Sequence, residues 1–177
     1  MLRTRVKEAE MKRWGMFLVM LLSITFLLVP IIQAADEHAG RAVYHTLKVE
    51  SKEVGDVSGH SVAIVEQAGL GFFTKGPASG QIATRKNTAN IDTVNGKGTF
   101  TNIIVYTFRD GSTVVHKAAG TITPVDGGKT ATFAGTFVVS GGTGKYEGAY
   151  GEGTFKGERL GSDQTGGDSY VDFTSTQ

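Results

Sequence analysis

The 177-residue chain has no cysteine. That excludes thiol catalysis, cysteine-based metal sites, a lipid anchor on cysteine and a disulfide framework. The four histidines, His38, His45, His60 and His116, fall at no spacing typical of a metal centre, so neither a metal nor another cofactor is expected. No Gly-x-Ser-x-Gly motif occurs, which leaves a hydrolase nucleophile elbow without support. Excess basic charge is missing as well. Without the five Lys and Arg and the two Glu of residues 1–34, 13 basic side chains face 15 acidic ones, a net charge of −2. Nucleic acid is therefore not an expected partner. Leucine is scarce beyond residue 34 while 24 of the 25 glycines lie there, a composition that favours turns over helices.

Residues 1–34 differ from the rest. Lys12 and Arg13 precede an apolar run over residues 14–32 that is interrupted only by Gly15, Ser23, Thr25 and Pro30, and Ala34 offers a small residue for cleavage. Charge, apolar stretch and small residue in that order predict a secretory signal. The run is close to the minimum for a membrane-spanning helix, about 17 residues, so an uncleaved signal anchor is the alternative, and Met11 competes with Met1 as the start. The expectation is a secreted or periplasmic bacterial protein, touching a membrane only if the signal is retained. Residues 35–177 suit one domain, long enough to bury a core without cross-links.

In that domain the apolar period is two, as for strands. Residues 43–53 alternate, with Val43, His45, Leu47, Val49, Ser51 and Glu53 on one face. Extended pieces follow at 61–66 and 69–74, and a polar strand at 80–88. Residues 99–109 and 112–122 are β-branched and aromatic and are joined by Asp110-Gly111, a strong hairpin signal. Asn95-Gly96 and Asp126-Gly127 are two more. Residues 130–139, with Phe133, Gly135, Phe137 and Val139 on one face, residues 149–157 and residues 169–174 complete about eight strands. Regular short strands without helices predict an all-β sandwich or closed barrel, and closure removes exposed edges.

The stretch 137–157, Phe-Val-Val-Ser-Gly-Gly-Thr-Gly-Lys-Tyr-Glu-Gly-Ala-Tyr-Gly-Glu-Gly-Thr-Phe-Lys-Gly, looks like a phosphate loop. Such a loop needs a helix after it, and the glycines continuing through Gly157 oppose one. It reads as strand, glycine turn, strand, with positive φ expected at Gly141, Gly142 and Gly144. Ala149, Gly151 and Gly153 leave one strand face nearly bare, to be covered by a bulky neighbour or left as cavity.

Residues 136–151, Thr-Phe-Val-Val-Ser-Gly-Gly-Thr-Gly-Lys-Tyr-Glu-Gly-Ala-Tyr-Gly, closely resemble the glycine hairpin of allene oxide cyclases, and more loosely that of dirigent proteins. Residues 106–120 resemble the preceding hairpin. The resemblance extends over residues 43–170 and is sharp only over 137–151. It implies an eight-stranded antiparallel barrel, often a homotrimer in the plant proteins, which steer ring closure of an unstable fatty-acid epoxide. The family's catalytic carboxylate lies in a Glu-x-x-Glu context on the first strand. Glu50-Ser-Lys-Glu53 has that spacing, which makes Glu50 the motif counterpart, whereas the period-two face favours Glu53. Lys52 stands where the family has an Asn, and its cavity Cys has no counterpart.

The candidate catalytic residues are thus Glu50 and Glu53, fitted for proton transfer if buried. Tyr106 shares a face with Ile104 and Phe108, and His116 with Val114 and Ala118; with Phe137 these are the candidate ligand-binding residues. Two functions stay open. One is an exported barrel that binds a small apolar molecule and guides its cyclisation or isomerisation by holding one conformer. The other is a non-catalytic secreted ligand carrier or assembly module.

Overall fold

The computed structural model describes residues 37–162 and 167–176; the signal segment read over residues 1–34 lies outside them. Eight antiparallel strands follow one another: β1 (Glu37–Glu53), β2 (His60–Lys75), β3 (Ile82–Val94), β4 (Lys97–Thr107), β5 (Thr113–Val125), β6 (Thr130–Thr143), β7 (Gly151–Arg159) and β8 (Ser169–Thr176). Each pairs with its sequence neighbours, and β1 pairs with β8, so the sheet closes as the resemblance implied. The pieces expected at 61–66 and 69–74 are one strand, β2, and the polar strand extends from Ile82 to Val94.

The turns follow their residues. Asn95 and Gly96, both at positive φ (51° and 78°), join β3 to β4. Positive φ at two successive residues is the backbone of a tight hairpin whose twist matches its strands. In the glycine segment Gly141 and Gly144 have positive φ and Gly142 does not. Gly142 is needed for another reason: a Cβ there would lie 2.4 Å from the Thr113 carbonyl oxygen.

Of the three register shifts in the pairing, two decide which of the candidate side chains face inward. In β1, Thr46 opposes Gln67 and Lys48 opposes Glu66, leaving Leu47 as an extra residue. Inward positions are therefore Ala42, Tyr44 and Thr46 before it, and the facing of Val49, Ser51 and Glu53 is reversed relative to Val43, His45 and Leu47. The single uninterrupted face expected over residues 43–53 is two half-faces, because one inserted residue flips a period-two pattern. In β6, His116 opposes Val139 while Val115 opposes Gly141, so Ser140 is extra and Phe137 and Val139 turn inward beside His116.

Inward rings are accommodated by glycines. Tyr106 lies over Gly71, where an added Cβ would sit 2.6 Å from its Cε1, and Phe137 lies over Gly153, at 2.7 Å from its Cζ. The bare face of β7 is thus filled by packing. Phe100, Ile122 and Ala131, with Ile91, Phe133 and Phe155 against them, fill the end of the barrel where β3 turns into β4 and β5 into β6. A larger cluster built on Phe73, Ile104, Tyr106, Phe108, Phe137 and Phe173 fills the middle and the other end.

Gly71→Ala should destabilise the protein by about 1–3 kcal/mol, because its methyl group would overlap the most deeply buried tyrosine of a closed core. Urea unfolding checks this; an unchanged midpoint would mean that the Tyr106 ring has room to shift.

Candidate functional site

The barrel interior is apolar at both ends and polar in between. One rung of the sheet runs Tyr44, Gly69, Arg85, Tyr106, Val114. Gly69 has no side chain to separate Tyr44 from Arg85, and the Arg85 guanidinium lies 4.0 Å from the centre of the Tyr44 ring. The next rung brings Gln67, Asn87, Ile104 and His116 together, and Asn87 Nδ2 donates to Gln67 Oε1 at 2.7 Å. Asn102 completes the polar belt from β4.

Aromatic rings surround these groups. His116 stacks on Phe137 at 4.5 Å with 13° between the planes, and meets Tyr106 edge-on at 5.2 Å. Phe173 stands against Phe73, Tyr106, His116 and Phe137. Between them is a cavity of about 60 Å³ lined by Arg85, Asn102, Tyr106, His116, Phe137 and Phe173 among others. His116 and Phe173 also form a wall of a second hollow, about 320 Å³, at the mouth among Phe73, Phe108, Val139, Tyr146 and Tyr150.

Burial sets the protonation of the wall. The His116 imidazole, 6% exposed, is pushed down to about 3, first by desolvation and then by the Arg85 charge. It is neutral at physiological pH, with one nitrogen free to accept a hydrogen bond and the other to donate one. Burial pushes the Tyr106 phenol up, against the opposing charge and hydrogen bond of Arg85, so it stays protonated.

The mouth is built by the glycine segment. Lys145 donates to Gln81 Oε1 at 2.8 Å and pairs with Asp110 at 2.9 Å. The Ser112 hydroxyl donates to Asp110 at 2.5 Å, and together these contacts hold that carboxyl far below its ordinary range. Gln81 Nε2 donates to the Tyr146 hydroxyl at 3.3 Å. Lys145 and Tyr146, which resembled the tail of a phosphate loop, instead tie three rim loops together.

Tyr106, His116 and Phe137 therefore come together on the inner wall. Glu50 and Glu53 do not join them. Glu50 points outward, ion-paired with Lys48, which lowers its pKa. Glu53 has the inward parity, opposite Ser61, and is exposed at the far end of β1. No carboxylate lines the inner cavity.

Among solved structures, the chain is similar to a dirigent protein. That structure, a pterocarpan synthase dirigent protein, is 14% identical over 85% of this chain and 95% of its own, with a TM-score of 0.45. No protein-family model and no curated protein matches the chain. The closed eight-stranded antiparallel barrel that the resemblance implied is present.

Arg85, Asn87, Asn102, Tyr44 and Phe173 were not singled out by the sequence. The signal that existed was weak: Ala83, Arg85, Asn87 and Ala89 alternate with Thr84, Lys86 and Thr88, and neither set is apolar enough to mark the inside.

The pH dependence of stability should expose His116. The unfolded imidazole takes its proton near pH 6.5 and the folded one only near 3. The unfolded state then binds more protons across that interval, so stability present above pH 6.5 is lost as pH falls through it. Each pH unit of separation is worth about 1.4 kcal/mol. His60 has the opposite sign: Asp56 and Asp92 raise its pKa, so its contribution is complete below 6.5 and fades above. Thermal midpoints should decline from pH 6.5 to about 5.5 in the wild type, an interval in which carboxylates stay mostly ionised, and His116→Phe should flatten that decline.

Proposed function

We propose that this is an exported ligand-binding barrel whose inner wall receives a small, largely apolar, unsaturated molecule and holds it in one conformation. The observation that carries the reading is the composition of the interior: stacked rings surround a cavity whose lining includes the buried and unpartnered Asn102 Oδ1. A core built for stability alone satisfies its polar atoms or omits them. Apolar walls with a few convergent polar groups are the usual make-up of a ligand site.

The inner cavity by itself has room for a few heavy atoms, since one water needs about 10–15 Å³ on the same scale. The bulk of a ligand would lie in the mouth hollow, with one end reaching past His116 and Phe173. Neutral His116 and the Tyr106 hydroxyl are suited to orient polarised oxygen atoms, and confinement would favour a folded conformer of a reactive substrate. That supports a cyclase or isomerase. The lack of any carboxylate on the inner wall favours the second reading, a carrier that does no chemistry.

Native mass spectrometry of the protein purified from its producing cells tests binding and also counts subunits, three being the number implied by the resemblance. A small-molecule mass released on denaturation is expected, and Phe173→Ala should lose it. Bare polypeptide in every charge state, together with no saturable uptake of planar aromatic probes, would overturn the reading.

A further inference from the structure

The interior contains one feature that binding of a purely apolar molecule does not explain. Arg85 is 2% exposed, and its Nε and Nη1 have no hydrogen-bond partner. A guanidinium cannot shed its charge by deprotonation in a protein. It lies over the face of the Tyr44 ring and beside the Tyr106 hydroxyl. Among the described residues every Asp and Glu is exposed except half-buried Asp172, and Asp172 is engaged outside the barrel by Arg41, at 2.6 and 2.8 Å.

Burying a charge without a counter-charge is costly, so a core built for stability alone would omit it. The cation lines the inner cavity, with its unpartnered donors in the polar belt. Its charge also helps to keep His116 neutral, which leaves the cavity with a single cation and no competing one.

We propose that Arg85 is the recognition group for an acid: the ligand carries a carboxylate that enters the inner cavity and pairs with the guanidinium, while its unsaturated body lies along His116, Phe137 and Phe173 toward the mouth. This rests on the ligand-binding reading above and names the chemical class that the site takes. A planar carboxylate matches the guanidinium fork, and a flat body matches the stacked rings. Asn102 and Tyr106 supply further polar contacts, so the acid is discriminated from its neutral analogues by a site that would otherwise keep an unpaired charge.

Calorimetric titration of the full protein with cinnamate and with cinnamamide, its uncharged counterpart, tests the assignment at neutral pH. The wild type should bind the acid at least about tenfold more tightly than the amide. Arg85→Gln should lose that preference and retain the affinity for the amide. Equal affinities in the wild type would overturn the acid assignment and leave the binding barrel standing; binding of neither compound would overturn both. A second measurement does not depend on Arg85→Gln folding well. Cinnamate should raise the thermal midpoint of the wild type and leave that of Arg85→Met unmoved, and equal shifts in the two proteins would refute the role of Arg85.

Discussion

The pairing of the first strand with the last is the constraint on which everything inside the molecule depends. Residues Glu37 to Tyr44 run against Ser169 to Thr176, so the two most distant parts of the described chain must meet before any interior exists. The entropy of closing so long a loop grows only slowly with its length, but topologies dominated by such contacts fold slowly. Arg41 and Asp172 make a two-point ion pair across the seam. Its side chains are solvated, so it serves alignment more than stability. Once eight strands are closed, the circumference is set, and the lumen is just wide enough for side chains to fill it. Large rings can then be admitted only where something opposite is absent, as at Gly71 beneath Tyr106 and Gly153 beneath Phe137.

The same enclosure governs the electrostatics. The core of phenyl and phenol rings is a low-dielectric surrounding, so an imidazole that would titrate near neutrality on the surface stays uncharged, and a guanidinium keeps its charge with two of its nitrogens unpartnered. The two facts are coupled: the Arg85 charge makes protonation of His116 harder still. Outside the wall the situation is reversed. His60, held by Asp56 at 2.5 Å and Asp92 at 2.9 Å, is drawn toward its charged form. Two histidines of one small barrel thus respond to acid in opposite directions because one faces in and the other out.

Much of the architecture could be read from period and turn chemistry. Asn95-Gly96 gave its hairpin, and the alternation of Phe133, Gly135 and Phe137 placed that face inward, because these signals are local. The bulges could not be read. An extra residue at Leu47 or Ser140 leaves no mark in composition, yet it reverses every side chain beyond it, which is why residues 43–53 do not form one face; Glu53 is exposed because it lies at the far end of β1, beyond its pairing with β8. The polar belt was hidden for another reason. Arg85 and Asn87 look like the solvated face of a polar strand, since the rule that charge lies outside is correct for nearly every other ionisable group of this chain. Only the closed geometry shows that they are the exception.

The overhang of β1 has a consequence of its own. Past Tyr44 the strand has β2 on one side and, among the described residues, no strand on the other. A ribbon with an open flank is a template onto which a second polypeptide can add, the first step toward fibrous association. Here the flank carries Lys48, Glu50, Lys52 and Glu53 in close succession. A foreign strand would have to strip water from those charges to dock. Charged side chains along an unpaired strand flank oppose such pairing.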